Sequence, residues 1–486
     1  MIDKTIIMHI SDLHFGIEQN KPMVRDYRKK VLTTFKRDFI NMITQDPGLA
    51  PDILVVSGDI AYDGSAKNYK EAESFFNWIT NEDIKGNKIS RENVIICFGN
   101  HDVHALGIKF EPGPATGLWI DYTARRTLSR PEPNCDFKQY YEFELDIDKR
   151  YHRFKNAEDF CKKMGFVALK SNSRRYKYAY GYRSVKGIDF ISLNTEWDFW
   201  GDKDKNAKGQ LRIGSNLYLE ATSNFKGKDL FDLDTPPRFV IYHRPLECLH
   251  IQEQRSPESH IADRIVGNMI FHENDVSLNG HIHLSSLRTT GTHTQITAGS
   301  VHTNDKWEFT CNLIFVPKVL IEGLNKCSVL LYKYNSEFSL WHLDPFSESN
   351  NFNIVRSNKY KQIVDYIIKF REWIKKRDGL VREQLKNELV LLSDETSISI
   401  LITLLSEAGL HEIKKELEGT KLTTFTLQGK FQGKDDNSGP AGGSSGGFTK
   451  SDEKVKELIL SQQSTSGEGY IPPTLIVTKE RIGGIE

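Results

Sequence analysis

One feature of this sequence constrains its possible folds more than any other: a short apolar run that ends in a cluster of polar side chains. The run Ile95-Ile96-Cys97-Phe98 stops at Gly99, and Asn100, His101 and Asp102 follow it without a gap. Its length and β-branched residues predict a buried strand, and the glycine allows the backbone to turn sharply at the end. An amide, an imidazole and a carboxylate thus reach the carboxyl end of a strand, where open α/β sheets build their sites. Alone, the pattern is equally consistent with a polar turn.

The same pattern occurs at four other strand ends. In each case an apolar run is followed by side chains that bind metals or protons: Asp12 and His14, Asp59, His243, and His281 with His283. Carboxylates and imidazoles suit a divalent cation. One such match could arise by chance, but five in order argue against coincidence.

The runs between these clusters predict an α/β fold. Strands predicted at 5–10, 52–56 and 95–98 are separated by segments at 23–44 and 69–79 whose apolar residues recur with helical spacing. This alternation describes βαβ units and implies a largely parallel sheet. Further strands are predicted within 176–194, at 238–242, at 275–279 and in a hairpin near 328–343.

The ordered motifs Asp-x-His, Gly-Asp, Gly-Asn-His-Asp, His and Gly-His-x-His resemble those of the calcineurin-like metallophosphoesterase superfamily. The resemblance covers about residues 1–345, and the phrases at 10–16 and 56–64 look most like the Icc-type (class III) cyclic nucleotide phosphodiesterases. It implies a four-layer α/β/β/α sandwich. It also implies an enzyme that hydrolyses a phosphodiester, for example of a nucleotide, by attack of a metal-bound hydroxide.

The resemblance also implies two divalent metal ions that share one ligand. By the family pattern, one ion is held by Asp12, His14, Asp59 and His283, and the other by Asp59, Asn100, His243 and His281. Two such ions clamp the phosphoryl oxygens and lower the pKa of a shared water. Carboxylate, amide and imidazole ligands without thiolate suit Mn, Fe or Zn. Cys97 is expected to point into its strand and to take no part.

His101 is the predicted general acid. The family keeps this histidine off the metals, where it can stabilise the phosphoryl oxygen and protonate the leaving alkoxide; the alternative is a purely structural histidine. Asp102 would orient the ring and keep it protonated. Arg244 could bind the substrate phosphate, although an arginine before a proline at a strand end is equally often a surface residue.

Two other functions stay open. SbcD-type DNA nucleases share these motifs, and a nuclease needs a basic groove with aromatic side chains beside the metals. An irregular insertion predicted at 103–180, made of loops and short helices over the site, carries such basic residues: Lys109, Arg125, Arg126, Arg130, Lys149, Arg150, Arg153, Arg174 and Arg175. A non-catalytic docking platform is disfavoured because every ligand position is intact.

The remaining sequence defines three C-terminal segments. Helical spacing predicts a small helical appendage at 357–418, a Gly/Ser-rich stretch predicts a flexible linker at 429–450, and a tail occupies 451–486. The appendage could bind a protein partner, and the chain could be the hydrolytic effector of a multi-component defence system.

Composition sets the remaining expectations. The chain has 486 residues, with 65 Lys plus Arg and 65 Asp plus Glu, so no overall field draws it to nucleic acid or to an acidic membrane. Its six scattered cysteines suit a reducing compartment. With neither a signal segment nor a bilayer-spanning run, we expect a cytoplasmic protein.

Overall fold

The structure is a computed structural model. It describes residues 3–20, 24–104, 110–112, 118–121, 126–129, 151–171, 177–197, 199, 211–223, 234–254, 265–290, 293–301, 309–318, 324–344, 350–356 and 475–476. The predicted helical appendage at 357–418, the linker at 429–450 and nearly all of the tail at 451–486 lie outside these residues.

The described residues form six helices and seventeen strands, numbered here in chain order. The helices are α1 (Ile17–Asn20), α2 (Arg25–Gln45), α3 (Ala66–Ile79), α4 (Lys155–Lys163), α5 (Ser215–Ala221) and α6 (Val266–Glu273). The strands are β1 (Lys4–Ile10), β2 (Ile53–Ser57), β3 (Val94–Cys97), β4 (Phe110–Pro112), β5 (Leu118–Asp121), β6 (Arg126–Ser129), β7 (Gly181–Val185), β8 (Ile188–Ser192), β9 (Arg238–Ile241), β10 (Val276–Asn279), β11 (Ser286–Thr290), β12 (His293–Thr297), β13 (Thr310–Pro317), β14 (Leu324–Asn335), β15 (Leu340–Leu343), β16 (Asn351–Val355) and β17 (Leu475–Ile476).

Two mixed sheets organise the molecule. The first sheet has the order β15-β14-β13-β1-β2-β3, with β16 beside β14; β1, β2 and β3 are parallel, as the βαβ pattern predicts. In the second sheet, β12, β10, β9 and β8 are parallel neighbours, and β7 closes the edge antiparallel to β8.

The two sheets pack face to face through alternate residues of their strands. Ile7, Val55 and Ile95 of the first sheet share one buried cluster with Phe239 and Leu278 of the second. The residues between them, such as Met8 on β1 and Val240 on β9, belong to the cluster that also contains the buried faces of the helices. The fold is therefore the α/β sandwich with two central sheets that the family resemblance implied.

The chain falls into two compact units, and the first carries all the predicted ligands. It comprises residues 1–230, 234–287 and 292–354. The sequence placed the end of this domain at 345, but β16 lies beyond that point and contributes the buried side chains of Phe352 and Ile354 to the cluster between the sheets. In the second unit, Arg288 and Thr289 of β11 pair antiparallel with β17.

The insertion at 103–180 differs from its prediction in one respect. Helix α4 is one of the short helices expected there, but β4, β5 and β6 form a three-stranded antiparallel sheet where only loops and short helices were expected. These strands have three or four residues, too few for apolar alternation to reveal them. Among the described residues, no helix has the length and apolar character to cross a bilayer.

Candidate metal centre

The predicted ligands all follow the carboxyl ends of parallel strands. The loop after β1 continues to pair with the loop after β2, because the backbone N–H groups of Asp12 and His14 donate to the carbonyls of Gly58 and Asp59 at 3.1 and 2.9 Å. In the second sheet, the Gly280 N–H donates to the His243 carbonyl at 3.0 Å. Backbone hydrogen bonding thus fixes neighbouring ligand loops relative to each other.

Five of the predicted ligands have an unusual backbone conformation. The φ angles of Asp12, His14, Asp59, His281 and His283 are 54°, 45°, 56°, 70° and 57°. Non-glycine residues rarely adopt positive φ, and each such residue costs of order 1–3 kcal/mol unless its surroundings hold it. Only two other non-glycine residues in the described part of the chain share this conformation, Lys186 and Ser339. Backbone strain is therefore concentrated where these side chains converge.

Two glycines make room for the carboxylates. A Cβ on Gly99 would lie 2.2 Å from Asp59 Oδ1, and a Cβ on Gly280 would lie 1.9 Å from Ser11 Oγ and 2.7 Å from Asp12 Oδ2. Neither approach is compatible with a side chain unless the carboxylate or its loop moves. The glycines beside these ligands are thus required by space.

The side chains meet in three overlapping groups of metal-ligating atoms. The groups are Asp12 with His14 and His283, His14 with Asp59 and His101, and Asp12 with Asp59 and His243; within each group the ligand atoms lie within 4.8 Å of one another. His283 Nε2 lies 3.0 Å from Asp12 Oδ1, and Asp59 Oδ2 lies 3.3 Å from His243 Nε2 and 3.8 Å from His14 Nε2. Asp59 thus faces both sides of the cluster.

These separations fit a metal site. Ligand atoms that each lie about 2.1 Å from one ion are separated from each other by about 3–4 Å. The 3.8 Å between His14 Nε2 and the oxygens of Asp12 and Asp59 is too long for a hydrogen bond but falls in this range. Two buried carboxylates are stabilised by nearby positive charge, which a divalent ion would supply. The residues present therefore fit divalent metal ions.

His243 shows where a cation would be stabilised. Its Nδ1 donates to the Ser57 carbonyl at 2.8 Å, and Nε2 faces two acceptors, Asn100 Oδ1 at 3.1 Å and Asp59 Oδ2. Burial opposes the charged ring, but the charge and hydrogen bond of Asp59, together with the charges of Asp12 and Glu196, outweigh burial and raise the pKa of His243 to about 10. Burial would likewise raise the pKa of Asp59, but the charges of His243 and His101 hold it well below its usual range. The pair thus attracts positive charge between Nε2 and Oδ2.

The contacts of His101 differ in part from the prediction. Its backbone N–H donates to Asp59 Oδ1 at 2.8 Å, and its Nδ1 lies 2.5 Å from the carbonyl oxygen of Tyr62, whose ring stacks on the imidazole at a centroid distance of 5.3 Å. Since a carbonyl only accepts, Nδ1 carries a proton and Nε2 is left for chemistry. His101 also belongs to one of the three groups, although the family pattern keeps it off the metals.

Asp102 contacts the loops after β2 and β3. We expected it to orient the His101 ring, but its buried carboxylate accepts hydrogen bonds from the backbone N–H groups of Gly99, Ile60 and Ala61 and from the Tyr69 hydroxyl. Burial, then the charge of Asp59, raises the pKa of Asp102 to about 6. Asp102 therefore joins the loops after β2 and β3, while the Tyr62 carbonyl orients the imidazole.

Arg244 has a buried partner that sequence reasoning missed. Its Nε donates to both oxygens of Glu196, at 2.9 and 3.0 Å, and its Nη1 lies 2.8 Å from His281 Nε2. It is therefore not the surface residue that the sequence left open. Glu196 follows β8 in the segment Asn194-Thr195-Glu196, so the rule of polar residues after an apolar strand could have identified it.

The contact with Arg244 defines the state of the His281 ring. Arginine has no acceptor, so His281 Nε2 accepts this hydrogen bond and holds a lone pair there. Burial, then the charge of Arg244, lowers the pKa of His281 to about 2, so the ring is neutral. A metal at Nε2 would compete with Arg244 for this lone pair, and a metal at Nδ1 would require Nε2 to carry the proton. A neutral His281 therefore binds either Arg244 or a metal ion.

Comparisons with known proteins agree with this architecture. A family model described as calcineurin-like phosphoesterase matches residues 5–285. Comparison with curated proteins gives no match.

Three solved structures are among those that match. A dimetal phosphatase from Danio rerio has 11% identity, covers 73% of this chain and 100% of its own, and gives a TM-score of 0.33. A predicted phosphoesterase from Streptococcus pneumoniae has 9% identity, covers 73% of this chain and 100% of its own, and gives a TM-score of 0.24. The phosphopantetheinyl hydrolase of Mycobacterium tuberculosis has 13% identity, covers 62% of this chain and 91% of its own, and gives a TM-score of 0.28. At these values the three structures carry no information on the substrate of this chain.

The family assignment thus rests on the match over residues 5–285, which is more than half of the chain. That match spans every motif residue from Asp12 to His283. Six of them form the groups at the carboxyl ends of the strands that could hold a metal ion: Asp12, His14, Asp59, His101, His243 and His283. The chain belongs to the calcineurin-like phosphoesterases and is a metallophosphoesterase.

Proposed function

We propose that this protein is a binuclear-metal-dependent phosphodiesterase whose substrate is a nucleotide or a related diester. The observation that carries the proposal is the position of Asp59, whose Oδ2 faces His14 on one side and His243 on the other. One ion is assigned to Asp12, His14, Asp59 and His283, and the second to Asp59, Asn100, His243 and His281. The ligand types suit Mn, Fe or Zn.

When bound, the two ions supply charge neutralisation of the phosphoryl group and activation of a water molecule. The protein's own residues supply the rest. His101 is assigned the proton transfer to the leaving oxygen, because Nδ1 is engaged by the Tyr62 carbonyl and only Nε2 is available. Arg244 is assigned to the substrate phosphate, since a guanidinium matches the geometry of two phosphate oxygens.

The preference for a diester rests on the local motifs at 10–16 and 56–64. A nuclease is the alternative, and it depends on basic side chains in the insertion. Of these, Arg153 is almost fully buried and donates to the backbone carbonyls of Trp197 and Phe199, so it supports the fold and cannot line a groove. The side chains of the other basic residues named above for the insertion lie outside the described part of the chain.

A substrate panel tests the proposal. The protein is stripped of metal with EDTA, reloaded with manganese, and assayed on bis-p-nitrophenyl phosphate, cyclic nucleotides, and single- and double-stranded DNA and RNA. Hydrolysis of the small diesters that is lost on chelation and restored by metal supports the phosphodiesterase. Turnover of nucleic acid alone would favour the nuclease, and no metal dependence would reject both.

The remaining assignments follow from the same proposal. We place the catalytic domain at residues 1–354, with the C-terminal helices as a separate module that could bind a protein partner. A cytoplasmic location agrees with the buried free thiols of Cys97, Cys161 and Cys311.

A further inference from the structure

A buried ion pair that is not among the metal ligands lies directly beside the centre. Glu196 is completely buried and Arg244 is 8% exposed. The carboxylate binds Arg244 Nε through both oxygens, while Arg244 Nη1 extends to His281. One end of the guanidinium is thus fixed in the protein and the other reaches a predicted metal ligand.

The carboxylate of Glu196 is itself held rigidly. Its backbone N–H donates to Asn194 Oδ1 at 2.7 Å, and the Thr195 hydroxyl donates to Glu196 Oε1 at 2.9 Å. The same hydroxyl oxygen accepts a hydrogen bond from the backbone N–H of Arg244 at 3.2 Å. The Phe199 ring lies 5.1 Å from the guanidinium carbon, within range of a cation–π contact. These contacts tie the end of β8 to the end of β9 and restrict the guanidinium to one orientation.

Binding of a metal ion by His281 would affect the two contacts of Arg244 differently. The contact with His281 must be given up if that ring binds a metal ion, because the neutral imidazole cannot serve both. The contact with Glu196 involves no metal ligand and is retained. Nη1 is then released beside the centre, while Nε keeps the guanidinium from swinging into solvent.

We propose that Glu196 is a positioning residue, which holds Arg244 so that its released N–H groups bind the anionic oxygens of the substrate phosphate. This inference rests on the function proposed above. A role in stability alone explains the pair less well, since a buried ion pair contributes little net stability compared with apolar residues of similar size. A side-on pair restricts the direction of the remaining guanidinium N–H groups, which is the property that binding of phosphate requires.

The test measures the affinity of the manganese-loaded full-length protein for inorganic phosphate by calorimetry. Glu196→Gln keeps the size of the side chain but removes the charge that fixes Arg244. We expect phosphate affinity to fall about tenfold, the equivalent of losing one charged hydrogen bond. Metal content should be unchanged, and KM for a small diester should rise more than kcat falls.

Glu253→Gln is the matched control. Glu253 is also a buried glutamate, but its carboxylate accepts from the backbone N–H groups of Ile213 and Gly214. Its replacement should leave phosphate affinity as in the wild type. Arg244→Lys should weaken phosphate binding, and adding Glu196→Gln to Arg244→Lys should weaken it little further, because the two residues act as one unit.

If Glu196→Gln fails to fold, Glu196→Asp tests the role of Glu196 instead. This variant keeps the charge but withdraws the carboxylate from Arg244 by one methylene. Wild-type phosphate affinity in a folded Glu196 variant, or a loss of metal from it, overturns the inference. Failure of the proposed function is distinguishable: a wild-type protein that hydrolyses no diester would reject that function, while phosphate binding would still decide the role of Glu196.

Discussion

The two sheets contribute opposite halves of the centre. The first sheet supplies the carboxylates Asp12 and Asp59, in loops joined by backbone hydrogen bonds and held at positive φ. The second sheet supplies the imidazoles His243, His281 and His283 together with Arg244. A half that holds both carboxylates, together with His14 and His101, thus meets a basic half across the packed sheets. The group of Asp12, His14 and His283 and the group of Asp12, Asp59 and His243 take ligands from both halves, so packing of the sheets and assembly of the centre are coupled.

The largest expected effect comes from removing Asp59, the carboxylate that faces both His14 and His243. Asp59→Ala should remove the shared ligand and lower kcat/KM on a small diester by more than about 1,000-fold, because bound cations contribute several kcal/mol to such reactions. Metal content by elemental analysis should fall as well. Cys97→Ser is the control, since Cys97 is buried in β3 and its thiol donates to the Leu193 carbonyl at 3.2 Å. Equal losses in both variants would contradict this assignment.

A second prediction compares one histidine from each half. His101→Asn should retain both metals and slow a substrate with an alkoxide leaving group by about 100- to 10,000-fold, but slow p-nitrophenyl esters little, because p-nitrophenolate departs without a proton. His281→Asn should weaken metal binding and slow both substrates alike. Metal content and the two rates are measured for each variant.

Two results for His101→Asn would be informative. If both substrates slow equally with metals in place, His101 stabilises charge on the phosphate and is not the acid. If the variant loses a metal, His101 is a ligand, as its place in the group with His14 and Asp59 allows.

A third prediction disturbs the contact between the halves without removing a ligand. Gly280→Ala places a methyl group against Ser11 and the Asp12 carboxylate, so Asp12 must move. Displacement by about 1 Å typically costs about 100-fold in rate. Gly187→Asn is the control, because Gly187 lies in the turn between β7 and β8 at φ 78°, with open space around it and a conformation that asparagine tolerates. Similar rates for the two variants would show that the centre adapts to the methyl group.

The smallest effect on rate is expected from truncation. A chain that ends after residue 344 lacks β16 and the buried side chains of Phe352 and Ile354, which lie between the sheets. Its free energy of unfolding should be about 3–6 kcal/mol below that of a chain ending after residue 356, while the rate per folded molecule stays similar. Urea denaturation of both chains checks this. Equal midpoints would support a domain end at 345.

Much of this architecture could be predicted from short-range patterns. Strands such as β1 and helices such as α2 lie within one or two residues of their predicted positions, because apolar periodicity is a local property of the sequence. The order of the five strand ends led to the family. Strands β4, β5 and β6 were missed because three or four residues give no periodic signal.

What the sequence by itself determined was which residue types follow which strands, and therefore the ligand set of the candidate centre. Only the tertiary structure decided the contacts made by these residues. Asp102 joins backbone loops, and the Tyr62 carbonyl orients His101. Glu196 accepts hydrogen bonds from Arg244, which lies 48 positions away in the sequence. The physical reason is that hydrogen-bond partners depend on distance in space, and when the two sheets pack they bring together side chains that are far apart in sequence.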